Sequence, residues 1–172
     1  LLSLCRHITS GVFLAHVRAS TSGETARVNC HPFTHGRWSF MHNGQTGSFG
    51  ALRRPLEARL PDDLYALRRG GTDSELVFLM LLQAGLATDP DRACREVISQ
   101  LCDAARTASL RPFFRQTCVF SDGESLYCFR YATDGRWPSL YASHRFIADG
   151  LVLASEPLNG RASDWDEIKP NA

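Results

Sequence analysis

The 172-residue chain has no long hydrophobic run and no excess of charge of one sign. No window approaches the roughly 18 consecutive apolar residues that a membrane-spanning helix needs. The 19 Lys and Arg residues nearly cancel the 18 Asp and Glu residues, which leaves a formal net charge of +1. We therefore expect no membrane partner and no nucleic-acid partner.

A secretory signal pattern is also missing, because no basic, then apolar, then small-residue segment opens the chain. Six cysteines in this length are too few for the disulfide framework of a small secreted scaffold. We predict mostly buried, reduced thiols and a cytoplasmic location. The chain opens without Met on an apolar helical pattern, so we expect a processed or truncated start.

The periodicity of apolar residues predicts an α+β fold. A run of strands is followed by consecutive helices and then by consecutive strands, which favours layered sheets and helices over βαβ alternation. The clearest helix begins with Thr72 and Glu75, which form a capping-box pattern, and ends at Gly85. Helices are predicted over 1–9, 50–60, 73–84 and 91–105, and strands over 12–18, 37–42, 113–120, 124–131, 139–146 and 150–155.

Polar residues concentrate at the ends of three predicted elements, where binding sites on rigid scaffolds are commonly built. Arg18 ends one strand, and its guanidinium could hold a carboxylate through two hydrogen bonds. Asn43 and Gly44 end another, where a side-chain N–H and a backbone N–H could stabilise an oxyanion. Asp73 begins a helix, and its carboxylate could hold an ammonium group.

Each of these residues also has a purely structural interpretation. Arg18 could form a structural ion pair. Asn43-Gly44 is a common dipeptide of two-residue hairpin turns, so by itself it predicts a turn that ends the strand over 37–42. Asp73 lies in the first turn of a capped helix, where the helix dipole favours an acidic residue.

The order and spacing of four motifs carry a more specific signal. HVRAST, NCHPF, FMHNG and GGTDSE follow one another in the chain. Together they resemble the class II glutamine amidotransferases of the amino-terminal-nucleophile hydrolases, and most closely the stand-alone branch that includes the γ-glutamyl amidase of ergothioneine biosynthesis. The resemblance implies a four-layer αββα sandwich, incomplete at the amino terminus, and one glutamine amidotransferase type-2 domain over residues 1–172.

The same resemblance implies a role for each motif in binding a γ-glutamyl substrate. Arg18, helped by Thr21, would bind the α-carboxylate, and Asp73 would bind the α-ammonium. Asn43 and Gly44 would form the oxyanion hole. His31 would line or support the pocket. For His16 and His42 we favour packed, hydrogen-bonded side chains over catalytic groups.

In this family the nucleophile is an amino-terminal cysteine whose thiolate attacks the amide carbonyl to form a γ-glutamyl thioester. Cys5 shares the apolar face of Leu4 and Ile8, and too few residues separate it from Arg18 to match the family's spacing. We therefore expect a fragment that lacks the nucleophile and, at its other end, the last strands.

Two other interpretations remain open. A module without a nucleophile could bind γ-glutamyl compounds or act in regulation. Alternatively, Cys30, His31 and His35 could contribute to a metal site, although they fall short of a four-ligand set. For the enzyme we expect a small γ-glutamyl substrate, no cofactor and no metal. Self-association as a homo-oligomer is compatible with the sequence.

Overall fold

A computed structural model describes residues 6–17 and 26–170 of the chain. Antiparallel strands and helices make up these residues, which confirms the α+β class. The strands are β1 (Phe33–His35), β2 (Trp38–Thr46), β3 (Phe114–Ser121), β4 (Leu126–Ala132), β5 (Tyr141–Ser143), β6 (Val152–Ala154) and β7 (Asp166–Glu167). The helices are α1 (Phe49–Glu57), α2 (Asp62–Tyr65), α3 (Asp73–Gln83) and α4 (Pro90–Thr107), with short 3-10 turns at Arg27–Asn29 and Ala162–Asp164. The strand orders are β1-β2-β3-β4 in the first sheet and β6-β5-β7 in the second.

Helices α1, α3 and α4 cover one face of the first sheet and form the core with it. Every side chain from Leu76 to Leu81 in α3 is buried, so this helix lies in the centre of the helical layer. Phe78 of α3 stacks on Phe40 of β2, with ring centroids 5.3 Å apart. None of the helices in the described ranges has the length and apolar content that crossing a membrane requires.

The second sheet lies on the opposite face of the first sheet, where a proline carbonyl joins the two. The carbonyl oxygen of Pro138 accepts hydrogen bonds from Thr117 Oγ1 at 2.9 Å and from Arg130 Nε at 3.0 Å. Arg130 is buried and also forms an ion pair with Glu167 of β7. The described residues therefore build three layers in the order helix, sheet, sheet, and a cleft opens between the two sheets.

The predicted turn at Asn43-Gly44 is wrong. Strand β2 continues through both residues to Thr46, and Asn43 pairs with Thr117 of β3 while Gly44 pairs with Gln116. The dipeptide favours a turn only where the following residues fold back on the strand. Here β3 pairs with the whole length of β2, so the tertiary pairing overrides the local preference.

The strand predicted over 12–18 is also not found, because residues 12–17 have no regular secondary structure. Phe13 is 70% exposed and Val17 is 99% exposed. A strand needs a neighbour for its backbone hydrogen bonds, and no strand of the described residues pairs with this segment. Of the helix predicted over 1–9, Arg6 and His7 are helical, while residues 1–5 lie outside the described residues.

Candidate active site

The cleft between the two sheets has a volume of about 1150 Å³ and contains most of the predicted site. Its walls come from β2, the beginning of α3, β3, β6 and the segment before Arg18. Four of the six residues to which the resemblance gave roles line it. They are His31, Asn43, Gly44 and Asp73.

The other two residues, Arg18 and Thr21, lie outside the described residues. The segment that leads to Arg18 is described, and Ala15, His16 and Val17 all line the cleft.

Asn43 lies on the face of β2 that points into the cleft. Side chains alternate between the two faces of a strand, and Phe40 and His42 are buried under the helices. Asn43 and its neighbour Gln45 are exposed and line the cleft. The amide of Asn43 is therefore accessible to a ligand, on a strand that is held in register by Thr117 of β3.

The backbone N–H of Gly44 points away from β3, toward the edge of β2. Thr46 N donates to Asp73 Oδ2 at 2.7 Å, whereas Gly47 N donates to the carbonyl of Phe113 at the start of β3. Along a strand, the N–H groups of residues i and i+2 point to the same side. The Gly44 N–H therefore shares its side with the Thr46 N–H, which is the side on which the Asp73 carboxylate lies.

Asp73 is the first residue of α3 and joins this helix to the end of β2. Its Oδ2 accepts the hydrogen bond from Thr46 N, and its Oδ1 accepts one from Ser74 N at 3.0 Å. A carboxylate offers about four lone-pair positions, so these two bonds leave capacity for a cationic ligand in the cleft.

The turn before Asp73 is held by two side chains that the sequence analysis did not single out for this role. Asn29 is buried, and its Oδ1 accepts from Gly71 N at 3.1 Å. The Glu75 carboxylate accepts from the backbone N–H groups of Arg69 and Gly70, at 2.7 and 2.9 Å. Asn29 could have been found from the sequence, because it is the first residue of the NCHPF motif.

Of the two hydrogen bonds that a capping box predicts at the start of α3, one is confirmed. Thr72 Oγ1 accepts from Glu75 N at 3.2 Å, as predicted. The Glu75 carboxylate does not return to the Thr72 backbone but holds the preceding turn. The cap therefore fixes both the helix start and the loop that leads to Asp73.

His42 is buried beneath the cleft, and both of its ring nitrogens have partners. Nε2 lies 3.3 Å from the carbonyl oxygen of Arg115, and Nδ1 lies 2.9 Å from Ser74 Oγ. A carbonyl can only accept, so Nε2 carries the proton and Nδ1 accepts from the hydroxyl. Burial lowers the pKa of His42, while the nearby Asp73 carboxylate opposes that shift. The imidazole is therefore neutral at neutral pH, in line with the packed, hydrogen-bonded role that we favoured.

The buried His42 predicts an acid-sensitive fold. Its pKa in the folded protein lies below the ordinary value, so the unfolded chain binds the proton more readily as pH falls through about 6.5. The free energy of unfolding should therefore decrease on acidification, with a contribution from this residue of at most about 1.4 kcal/mol per pH unit. Urea denaturation at a series of pH values measures the slope.

The controls for this prediction are two substitutions. His42→Gln removes the buried imidazole and should flatten the dependence between about pH 7 and pH 5. His144→Gln removes an exposed histidine and should retain the wild-type slope. An unchanged slope in His42→Gln would contradict the assignment.

Gly44 has no room for a side chain. A Cβ at this position would overlap the carbonyl oxygen of Arg115 and Nε2 of His42. We expect Gly44→Ala to lower the free energy of unfolding by at least about 2 kcal/mol, as overpacking against backbone does. Gly50→Ala is the matched control, because a Cβ there, in α1, meets no atom within 4 Å. If denaturation midpoints of the two variants coincide, the close packing at Gly44 is wrong.

His31 and His16 face each other at the wall of the cleft. Their ring centroids are 4.3 Å apart, and His31 also meets the ring of Phe33 edge-on at 4.8 Å. The alternative metal site is not supported, because within residues 6–17 and 26–170 no group of three His, Cys, Asp or Glu side chains could hold a metal ion. Cys30 is exposed rather than directed into a ligand set with His31 and His35.

The five described cysteines are free thiols, and none of them lines the cleft. Burial raises the pKa of Cys94 to about 12 and that of Cys118 well above the ordinary range. Burial also raises the pKa of Cys128. Such thiols are poor nucleophiles because the reactive thiolate is scarce.

Arg115 contributes a cationic side chain to the cleft that no sequence motif indicated. It lies on β3, and its guanidinium pairs with the Asp134 carboxylate at 2.7 Å. The hydrogen bond that the guanidinium donates to the Asp134 carboxylate raises the pKa of Arg115. Because this arginine already has a carboxylate partner, it does not replace Arg18 in the predicted role.

Comparisons with known proteins identify relatives of the whole chain. The family model for class-II glutamine amidotransferases matches residues 2–145. The Saccharomyces cerevisiae protein "Probable glutamine amidotransferase DUG3" is 29% identical over an alignment 210 residues long. The alignment covers 100% of this chain and 58% of the yeast protein. The Escherichia coli protein "Putative glutamine amidotransferase YafJ" is 37% identical over 195 residues, or 95% of this chain and 68% of the bacterial protein.

A solved structure with a similar fold is also a class-II protein by its description. The glutamine aminotransferase class-II domain protein of Silicibacter pomeroyi superposes with a TM-score of 0.84 at 38% identity, over 98% of this chain and 71% of that protein. The chain thus spans little more than half the length of the yeast relative, and about seven tenths of the solved one.

Proposed function

Because the chain belongs to the class-II glutamine amidotransferase family, we propose that its cleft binds a γ-glutamyl amide and is the site at which that amide bond is hydrolysed. The observation that carries the proposal is the arrangement at the edge of β2. Asn43, Gly44 and Asp73 line one cleft, and the Asp73 carboxylate is bonded to the same edge of β2 at Thr46 N. Oxyanion donors and an ammonium acceptor are two of the kinds of group that this reaction needs.

The substrate has one carboxylate and one ammonium at its α-carbon, and each has a proposed partner. Asp73 accepts hydrogen bonds from the ammonium. Arg18, with Thr21 beside it, holds the carboxylate through its guanidinium. His31 supports the wall of this pocket, where it packs against His16. The γ-carbonyl is thereby directed to Asn43 and Gly44.

The reaction proceeds in two steps, formation of a thioester and its hydrolysis. A thiolate attacks the γ-carbonyl carbon, and Asn43 and Gly44 stabilise the oxyanion that forms. The C–N bond then breaks, the amine leaves with the proton that the thiol gave up, and a γ-glutamyl thioester remains. Water hydrolyses the thioester, which releases glutamate and restores the thiol.

We propose that the thiol is none of the five described cysteines. None of them lines the cleft, and burial holds the pKa of three above the ordinary range. Cys5 precedes Arg18 by too few residues to match the family's amino-terminal cysteine. We therefore expect the nucleophile to be none of the residues 1–172, and no turnover from these residues alone.

Within the family we favour a hydrolase that acts by itself on γ-glutamyl amides or peptides, as the sequence resemblance to the stand-alone branch suggests. We place the enzyme in the cytoplasm, which is compatible with the five free thiols of the described residues. The proposal requires no cofactor and no macromolecular partner.

The test compares two forms of the protein on one substrate panel. The gene product with any residues encoded before Leu1, and residues 1–172 alone, are incubated with glutamine, glutathione and other γ-glutamyl amides while released glutamate is measured. We expect release only from the longer form. Release by residues 1–172 would contradict the assignment of the nucleophile, and binding without release by both forms would favour a binding or regulatory module.

A further inference from the structure

His42 connects the strand that carries the oxyanion donors to the helix that carries Asp73. It precedes Asn43 on β2 but points to the opposite face, under α3. Nδ1 accepts from Ser74 Oγ in the first turn of α3, and Nε2–H donates to the carbonyl of Arg115 on β3. One imidazole thus joins three elements around the cleft.

The missing side chain of Gly44 is what allows this arrangement. Gly44 follows His42 by two residues on the same face of β2, and a Cβ there would overlap His42 Nε2 and the Arg115 carbonyl oxygen. The hydrogen bond from the ring to that carbonyl therefore passes through the space that a larger residue would fill. His42 and Gly44 act as a pair.

Two cross-links join β2 to α3, and Gly44 lies between them. The first is the His42–Ser74 hydrogen bond, and the second is the hydrogen bond from Thr46 N to Asp73. Residues 42 and 46 are the two ends of a short stretch of β2. Gly44 lies at the middle of this stretch, and its backbone N–H points away from β3. Both cross-links must hold for this N–H to keep its position relative to the Asp73 carboxylate.

We propose that His42 is a positioning residue, a neutral imidazole that fixes the oxyanion donors at Asn43 and Gly44 relative to the ammonium site at Asp73. The inference rests on the proposed function. It assigns no proton transfer to the ring, because both nitrogens are already engaged in hydrogen bonds, Nδ1 with Ser74 Oγ and Nε2 with the Arg115 carbonyl. Misplacement of catalytic donors by about 1 Å is enough to slow a reaction substantially.

The alternative is that His42 only fills the core, and Cys118 provides the control for it. Cys118 pairs directly with His42 across β2 and β3 and is fully buried on the same face. Cys118→Ala removes buried atoms at this level of the sheet without touching either cross-link.

Two substitutions separate the hydrogen bonds of the ring. The side-chain oxygen of His42→Asn occupies the place of Nδ1 and can still accept from Ser74. The side-chain nitrogen of His42→Gln occupies the place of Nε2 and can still donate to the Arg115 carbonyl. Ser74→Ala removes the hydroxyl and leaves the imidazole in place, so the proposal stays testable even if a His42 variant does not fold.

The experiment measures kcat, KM and urea denaturation for these variants, using the gene product with any residues before Leu1 and L-glutamine as substrate. We expect Ser74→Ala and His42→Gln to lower kcat about tenfold while KM changes less than about threefold. His42→Asn should retain more activity than His42→Gln. Cys118→Ala should lose stability and keep its kcat.

Several results would overturn the proposal. It is wrong if Ser74→Ala keeps kcat within about twofold of wild type, or if Cys118→Ala loses as much kcat as His42→Gln at equal stability. A wild-type protein without any γ-glutamyl hydrolysis would instead refute the proposed function. In that case 15N NMR of the imidazole still tests the geometry, and a proton on Nδ1 rather than Nε2 would contradict it.

Discussion

Replacing Asn43 with alanine should reduce γ-glutamyl amide hydrolysis about a hundredfold or more, the usual cost of losing one oxyanion donor. The side chain is exposed on the cleft face of β2, so its removal leaves no cavity in the core. The loss should therefore fall on kcat, because the amide interacts most strongly with the charge that develops in the transition state. Steady-state kinetics with L-glutamine measure it.

Gln45→Ala is the matched control for this substitution. Gln45 lies two residues along the same strand, is also exposed and also lines the cleft. We expect its kcat to stay near the wild-type value, and both variants to keep wild-type stability in urea. Equal losses of substrate binding and turnover in Asn43→Ala would count against an oxyanion role.

Removing the charge of Asp73 should weaken binding of the γ-glutamyl group by about tenfold to a hundredfold, since hydrogen bonds to charged groups contribute about 1.5 to 3 kcal/mol. Asp73→Asn is the sharper variant, because its amide oxygen can still accept from Thr46 N. Asp73→Ala also removes that acceptor and should lower stability as well. Calorimetric titration of each variant with L-glutamine gives the affinities.

A ligand comparison isolates the ammonium contact. The analogue of glutamine without its α-amino group should bind weakly to the wild type and equally weakly to Asp73→Asn. Asp91→Asn, which alters an exposed acid in the first turn of α4, should bind glutamine as the wild type does. An unchanged affinity for glutamine in Asp73→Asn would rule out the assignment of Asp73.

Much of the secondary structure was predictable from apolar patterns, because α4 buries one continuous face and α3 is a long apolar run that begins at a capping residue. Helix α3 begins at the predicted Thr72 cap and ends before Gly85, as predicted, and α4 agrees with its prediction to within two residues. The strands predicted over 113–120 and 124–131 are found as β3 and β4, which pair with each other. Short elements such as α2 and β7 were missed because a few residues carry no measurable period.

The wrong turn prediction at Asn43-Gly44 shows that a local sequence pattern does not determine strand pairing. The dipeptide is typical of a turn, yet β3 pairs with β2 on both sides of it and keeps the strand extended. Glycine is needed there for space, since a Cβ would overlap His42 and the backbone of β3. That requirement involves residue 115, which is too distant in the sequence to appear in any local pattern.

The sequence by itself determined the α+β class, the principal helices and strands and the four motifs that mark the family, because these depend on local periodicity and on the order of residue types along the chain. Only the tertiary structure decided how the motifs meet: that Gly44 directs its N–H toward Asp73, that Asn29 and Glu75 hold the turn before α3, and that His42 joins β2 to that helix. The physical reason is that these contacts join residues brought together by sheet pairing and by the packing of a helix on the sheet. Neither the sheet pairing nor the helix packing can be inferred from the spacing of residues in a single sequence.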